Sequence, residues 1–170
     1  MAGNKKPRKK MNHNKRISLD PAGYAIRLAA KLTDAERALL MNPVKECFGR
    51  LRFGGFTVTD YKHLADTFNV AQSLTMPGIG LLPDHADKFR AAHMALKDLG
   101  ERYNAGRNWA ARGEELRAIE TGIEFHEIQL QFASAGELTR ATQEVDRALK
   151  GVLSGSKSRN IFTTELREAA

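Results

Sequence analysis

The chain has 170 residues, 42% hydrophobic and 28% charged, which fits one ordinary globular domain rather than a disordered chain. Its formal net charge of +7 lies wholly at one end: residues 1–16 carry Lys5, Lys6, Arg8, Lys9, Lys10, Lys15 and Arg16 without an acid, and the other 20 Lys/Arg balance all 20 Asp/Glu. A lone Cys47 excludes an internal disulfide, and the longest uncharged stretch, Thr67–Pro83, is interrupted by Pro77, Gly78 and Gly80, which excludes a membrane-spanning helix.

The charged start has no apolar segment behind it and does not read as a signal peptide, so a cytoplasmic location is expected. Residues 1–18 read as a disordered basic arm. Asp20-Pro21 is a cap followed by proline in the first helical position, which predicts a short helix over Ala22–Lys31. Thr33 and Glu36 have capping-box spacing and open a second helix toward Arg52. Pro43 predicts a kink or break near Asn42, and Gly54-Gly55 ends the helix. A third helix is expected from about Asp60 to Ser73, with Thr57 or Thr59 as its cap and Tyr61, Leu64, Ala65, Phe68 and Ala71 along its apolar face. Thr75–Leu82 reads as an apolar loop in which Gly78-Ile79-Gly80 is a turn.

The fourth helix, Pro83–Asn104, shows a packing seam of Phe89, Ala92, Leu96, Leu99 and Tyr103. The fifth, about Asn108–Phe132, is apolar on two sides: Trp109, Leu116, Ile119, Ile123 and Leu130 on one, and Phe125, Ile128 and Phe132 nearly opposite. Ser134 and Glu137 form a second capping box, from which Leu138, Ala141, Val145, Leu149 and Val152 continue as a sixth helix. Residues 154–170 read as a flexible tail. The fold class is therefore an all-α bundle of five to six helices over 19–153.

Several residues are candidates for function. The seven cations of the arm are suited to phosphate backbones, where released counterions give salt-dependent, sequence-nonspecific binding. The alternative is a solubilising terminus. KKPRKK also resembles a nuclear localisation signal, which matters only in a nucleated cell. Trp109, Arg112, Phe125, Ile128 and Phe132 are candidates for a protein interface, and their two-sided helix for the shared element of a homodimer. Arg112 and His126 interrupt an apolar seam, either as polar contacts in a groove or as a snorkelling arginine and a hydrogen-bonded core histidine. Glu120, Glu124 and Glu127 form an acidic stripe that calls for a basic partner, such as Arg140, Arg147 or the arm, unless it is simply solvated. Asp60, His63 and Asp66 sweep around their helix rather than converge, so no metal is expected. Cys47, without a neighbouring cation in the sequence, reads as a core thiol. No nucleophile–base set, paired acids or cofactor motif can be assembled, so neither an enzyme nor a cofactor is expected.

RNWAARGEEL (Arg107–Leu116) and FHEIQLQFASAGEL (Phe125–Leu138), taken with KKPRKK, LRFGGF (Leu51–Phe56) and HLADTFNVAQSL (His63–Leu74), carry a family likeness. The chain resembles uncharacterised small helical proteins of tailed bacteriophages and prophages over most of its length. The resemblance brings no activity and no functional residue. It implies a bacterial cytosol and an accessory role in infection or lysogeny. The leading expectation is a non-enzymatic protein that associates with nucleic acid or a host nucleoprotein through its arm. The alternatives are an inhibitor of a host defence or nucleic-acid-processing protein, and a virion or assembly component.

Overall fold

The computed structural model describes residues 21–75 and 85–153. Six helices follow one another there: α1 (Pro21–Ala29), α2 (Asp34–Phe53), α3 (Val58–Thr75), α4 (His85–Asn104), α5 (Gly113–Phe132) and α6 (Ala135–Leu153). This is the expected all-α bundle. Among the described residues the only extended pairing is a single antiparallel bridge between Lys31 and Ser134. The arm, the apolar loop after Thr75 and the C-terminal tail lie outside the described residues.

Three helices start where a side chain satisfies the first free backbone amides. In α2 the Glu36 N–H donates to Thr33 Oγ1 at 3.3 Å while the Thr33 N–H donates to the Glu36 carboxylate at 2.8 Å. Ser134 and Glu137 repeat this at α6, with N–H to oxygen distances of 3.2 and 2.8 Å. The third box was not foreseen: Thr57 pairs reciprocally with Asp60, so α3 opens at Val58, two residues earlier than expected, and Thr57 rather than Thr59 is the cap. Each such cap is worth about 1 kcal/mol.

Two boundary expectations are corrected. Pro43 does not break α2, which runs through it to Phe53, near the expected end. Pro43 is exposed, so the backbone bond it removes is lost on the solvent side, where water can satisfy the freed carbonyl of exposed Leu39. The fifth helix begins at Gly113 rather than Asn108. Arg112 is its N-cap residue in extended conformation, its N–H donating to the Glu115 carboxylate at 2.7 Å, which leaves Trp109 and Arg112 outside the helix.

The centre of the bundle is α3, which packs against α2, α4, α5 and α6. Its Leu64, Phe68, Ala71 and Leu74 are at most 1% exposed. The predicted α4 seam is real: Phe89, Ala92, Leu96 and Leu99 are completely buried. Helices α4 and α5 run antiparallel and very close, because Gly122 admits the side chains of Ala92 and Phe68 where a Cβ would stand. Helix α1 has no buried residue and holds to α6 at the clasp around Lys31 and Ser134. There Leu32 N–H donates to Ala133 O at 3.4 Å, Ala135 N–H donates to Ala30 O at 3.0 Å, and Gly136 lies against Leu28.

Candidate functional site

The predicted interface residues separate into three environments. Trp109 sits in an aromatic nest, stacked on Tyr103 with ring centres 4.0 Å apart and planes at 9°, with Tyr61 at 5.5 Å and the edge-on Phe56 at 5.3 Å. The loop that carries it is held by Arg102, which donates to both carboxylate oxygens of Glu115 at 2.6 Å and to Ala110 O at 3.2 Å. Trp109 is thus packed against the core, and Arg112 is exposed beside it. Phe125 is half-buried against the core as well. Ile128 and Phe132 do reach solvent, at 41% and 52% exposure, with Lys31 Nζ 5.8 Å from the Phe132 ring centre. The seven arm cations lie outside the described residues.

Among the described residues, two members of the acidic stripe, Glu120 and Glu127, find cations on α2 rather than on α6. Lys45 contacts Glu127 at 2.7 Å and Arg52 contacts Glu120 at 3.6 Å, two half-exposed pairs that bridge α2 and α5. Cys47 does have a cation beside it: Arg50 Nη2 lies 3.4 Å from Sγ, one helical turn along. Burial and the Asp60 carboxylate nevertheless outweigh it and push the thiol up to about 11, as befits an inert core thiol. Asp60 is committed here, taking the Arg50 guanidinium at 2.6 Å and the Thr57 hydroxyl at 2.8 Å.

His63 and Asp66 go elsewhere. With His126 they line a cleft of about 210 Å³ between α2, α3, α5 and α6. Its walls are the aliphatic side chains of Leu40, Val44, Val70, Leu130 and Leu138, and Thr67 and Thr142 are its hydroxyl-bearing members. His126 is 5% exposed, on the α5 side. Its Nδ1 is 3.0 Å from Gln129 Oε1, and Gln129, completely buried, donates its amide to Ala71 O at 3.0 Å. That second bond orients the amide, so Gln129 offers an oxygen to the imidazole and Nδ1 carries the proton. Burial holds the His126 pKa below its ordinary value, with the Gln129 bond opposing, so the ring is neutral near pH 7. Nε2 is then left as an acceptor, and among the described residues it has no hydrogen-bond partner. Desolvation raises the Asp66 carboxyl, with Asp146 adding to the rise and His63 and Lys62 opposing it.

His126 was visible in the sequence as a polar residue in a seam, and His63 and Asp66, with Asp60, as residues that sweep around their helix rather than converge. Their meeting was not visible, because it depends on how α3 and α5 face each other. Gln129, which sets the tautomer, was missed; its place one turn after His126 was the available signal. Among the described residues no three His, Cys, Asp or Glu side chains converge as metal ligands, and no helix is long and apolar enough to cross a membrane. Comparison with protein-family models, curated proteins and solved structures finds no match to this chain.

Proposed function

We propose that the chain is a non-enzymatic accessory protein of bacteriophage type that works in the bacterial cytoplasm. In this reading it associates with nucleic acid or a nucleoprotein complex through Lys5, Lys6, Arg8, Lys9, Lys10, Lys15 and Arg16. The observation that carries it is the segregation of charge, with the whole excess of +7 placed in sixteen residues that hold no acid. The body supports this division of labour, since many of its cations are already engaged: Lys45 with Glu127, Arg50 with Asp60, Arg52 with Glu120 and Arg102 with Glu115. A polyanion meeting the body must compete with those pairs, whereas the arm has no acid of its own. The test is duplex binding across a salt series. If all seven cations engage, log affinity falls against log salt with a slope of about −6, hardly changing with sequence. Deleting residues 1–16 removes the binding and leaves the helical circular dichroism intact. Equal affinity of both forms refutes the reading.

A second reading, an inhibitor of a host protein, draws on the body's exposed apolar side chains. Leu39 is 76% exposed and Phe53 83%, and Ile128 and Phe132 add a patch near the end of α5. An inhibitor keeps its activity when the arm is deleted. The same patch could seat a second copy of the chain, in which case Phe132→Asp converts a dimer into a folded monomer by light scattering.

A further inference from the structure

We propose that the cleft between α2, α3, α5 and α6 is a binding site for a small arylalkylamine, a single ring with a hydroxyl donor at one end and an ammonium group at the other. In this arrangement the hydroxyl is seated on His126 Nε2 and the ammonium group on Asp66. The proposal is independent of what the arm does. It rests first on a polar side chain that is buried, oriented and left with one unused acceptor. The relay Ala71 O, Gln129, His126 uses two hydrogen bonds of 3.0 Å to hold one imidazole in one tautomer. A buried histidine needs a hydrogen-bond partner, which Gln129 supplies at Nδ1; Nε2 has none among the described residues and is not among the sealed, unsatisfied atoms, so it opens on the cleft that His126 lines.

The rest of the cleft defines the guest. At about 210 Å³ it is below the roughly 300–1,000 Å³ of pockets for drug-sized ligands, but above the cavity of about 150 Å³ that holds a benzene ring. One ring with a short side chain matches that volume. Five aliphatic side chains, which offer a water at Nε2 no partner, form half of the lining, and His63, Asp66, Thr67 and Thr142 with His126 form the rest. An apolar body that brings its own donor displaces such a water with a gain. The charged groups around Asp66 then choose the sign of the other end. Lys62 and His63 share α3 with it, and Asp146 of α6 acts on it as a like charge. An ammonium group between α3 and α6 relieves that repulsion, whereas a carboxylate or phosphate adds to it.

The test uses the full chain and three probes: tyramine, phenethylamine, which lacks the hydroxyl, and 4-methylphenol, which lacks the ammonium group. Tyramine is expected to bind with a Kd on the order of 1 mM and to shift the His126 Nε2 resonance saturably. Phenethylamine should bind about tenfold more weakly, for want of the buried hydrogen bond. Asp66 is exposed, so Asp66→Asn leaves the fold intact; it should weaken tyramine several-fold and leave 4-methylphenol unchanged. His126→Leu should abolish the preference for tyramine over phenethylamine, and if that variant does not fold, the wild-type Nε2 resonance still decides. The proposal is overturned if tyramine leaves that resonance unmoved at about 10 mM, ten times the expected Kd. Equal binding of tyramine and phenethylamine also overturns it, as does an Asp66→Asn effect of the same size on 4-methylphenol.

Discussion

Gly122 is the point at which the bundle is least forgiving. A Cβ added there stands 2.8 Å from the Cβ of Ala92 and 2.9 and 3.1 Å from two ring atoms of Phe68. Carbon atoms in contact prefer about 3.5–4.0 Å, so in Gly122→Ala helices α4 and α5 must separate by roughly 0.7 Å. Phe68 and Ala92 are both completely buried, and neither can swing into solvent. Overpacking of this kind costs about 1–3 kcal/mol, here toward the upper end because two of the contacts are below 3.0 Å. Helix propensity returns about 1 kcal/mol for Gly→Ala, leaving a net loss of about 2 kcal/mol. For a body of this size that lowers Tm by about 7 °C. Gly49→Ala is the internal control: it is also a mid-helix glycine, but a Cβ there meets nothing within 4 Å, so it should gain about 1 kcal/mol. Adding Ala92→Gly to Gly122→Ala should recover part of the loss, although Ala92→Gly alone costs about 1 kcal/mol. Thermal and urea unfolding of the four variants measure all of this. A Gly122→Ala protein that melts at or above the wild type refutes the close approach of α4 and α5.

Three further outcomes are expected. Burial holds His93 down to about 4, with the Ala65 carbonyl opposing, so the unfolded chain binds that proton more readily; stability is full above about pH 6.5 and falls by about 3 kcal/mol as pH drops through 4, which urea titrations at pH 7, 5.5 and 4 detect. The Arg50 guanidinium, opposed by burial and aided by Thr57, holds the Asp60 carboxyl far below its ordinary 3.8, so its contribution is present above that value and lost on further acidification. Asp60→Asn should therefore flatten the acid limb of the stability curve below pH 4, and an unchanged limb counts against the pair. Tyr103→Ala should shift the emission of Trp109, the sole tryptophan, to the red and cost about 2 kcal/mol, so an unmoved spectrum contradicts the stacked nest.

Local chemistry was legible and long-range chemistry was not. Thr33/Glu36 and Ser134/Glu137 announce helix starts because a capping box closes within four residues, and the α4 seam from Phe89 to Leu99 follows directly from helical periodicity. The start of α5 was misread because Trp109 lies at helical spacing from Leu116. What places Trp109 outside the helix is Arg102, an α4 side chain reaching Glu115 and Ala110. For Glu120 and Glu127 the sequence suggests cations on α6 or the arm, or a solvated face, whereas the partners among the described residues are on α2, against which α5 packs. The cleft draws on four helices, and no spacing within one helix reveals that His63, Asp66 and His126 share it. Gln129 shows the same limit: its partner Ala71 is 58 residues away.

The clasp around Lys31 and Ser134 has a mechanical consequence. A pull on the N-terminal side of Pro21 is carried by α1, which contributes no buried residue to the core. The first resistance it meets is the pair of backbone hydrogen bonds joining Leu32 to Ala133 and Ala135 to Ala30, with Leu28 resting on Gly136. Beyond these stands the capped start of α2, whose Met41 and Val44 are anchored in the interior. With no buried side chain of its own, α1 is therefore the helix expected to detach first under load, at the bonds between Ala30, Leu32 and the start of α6.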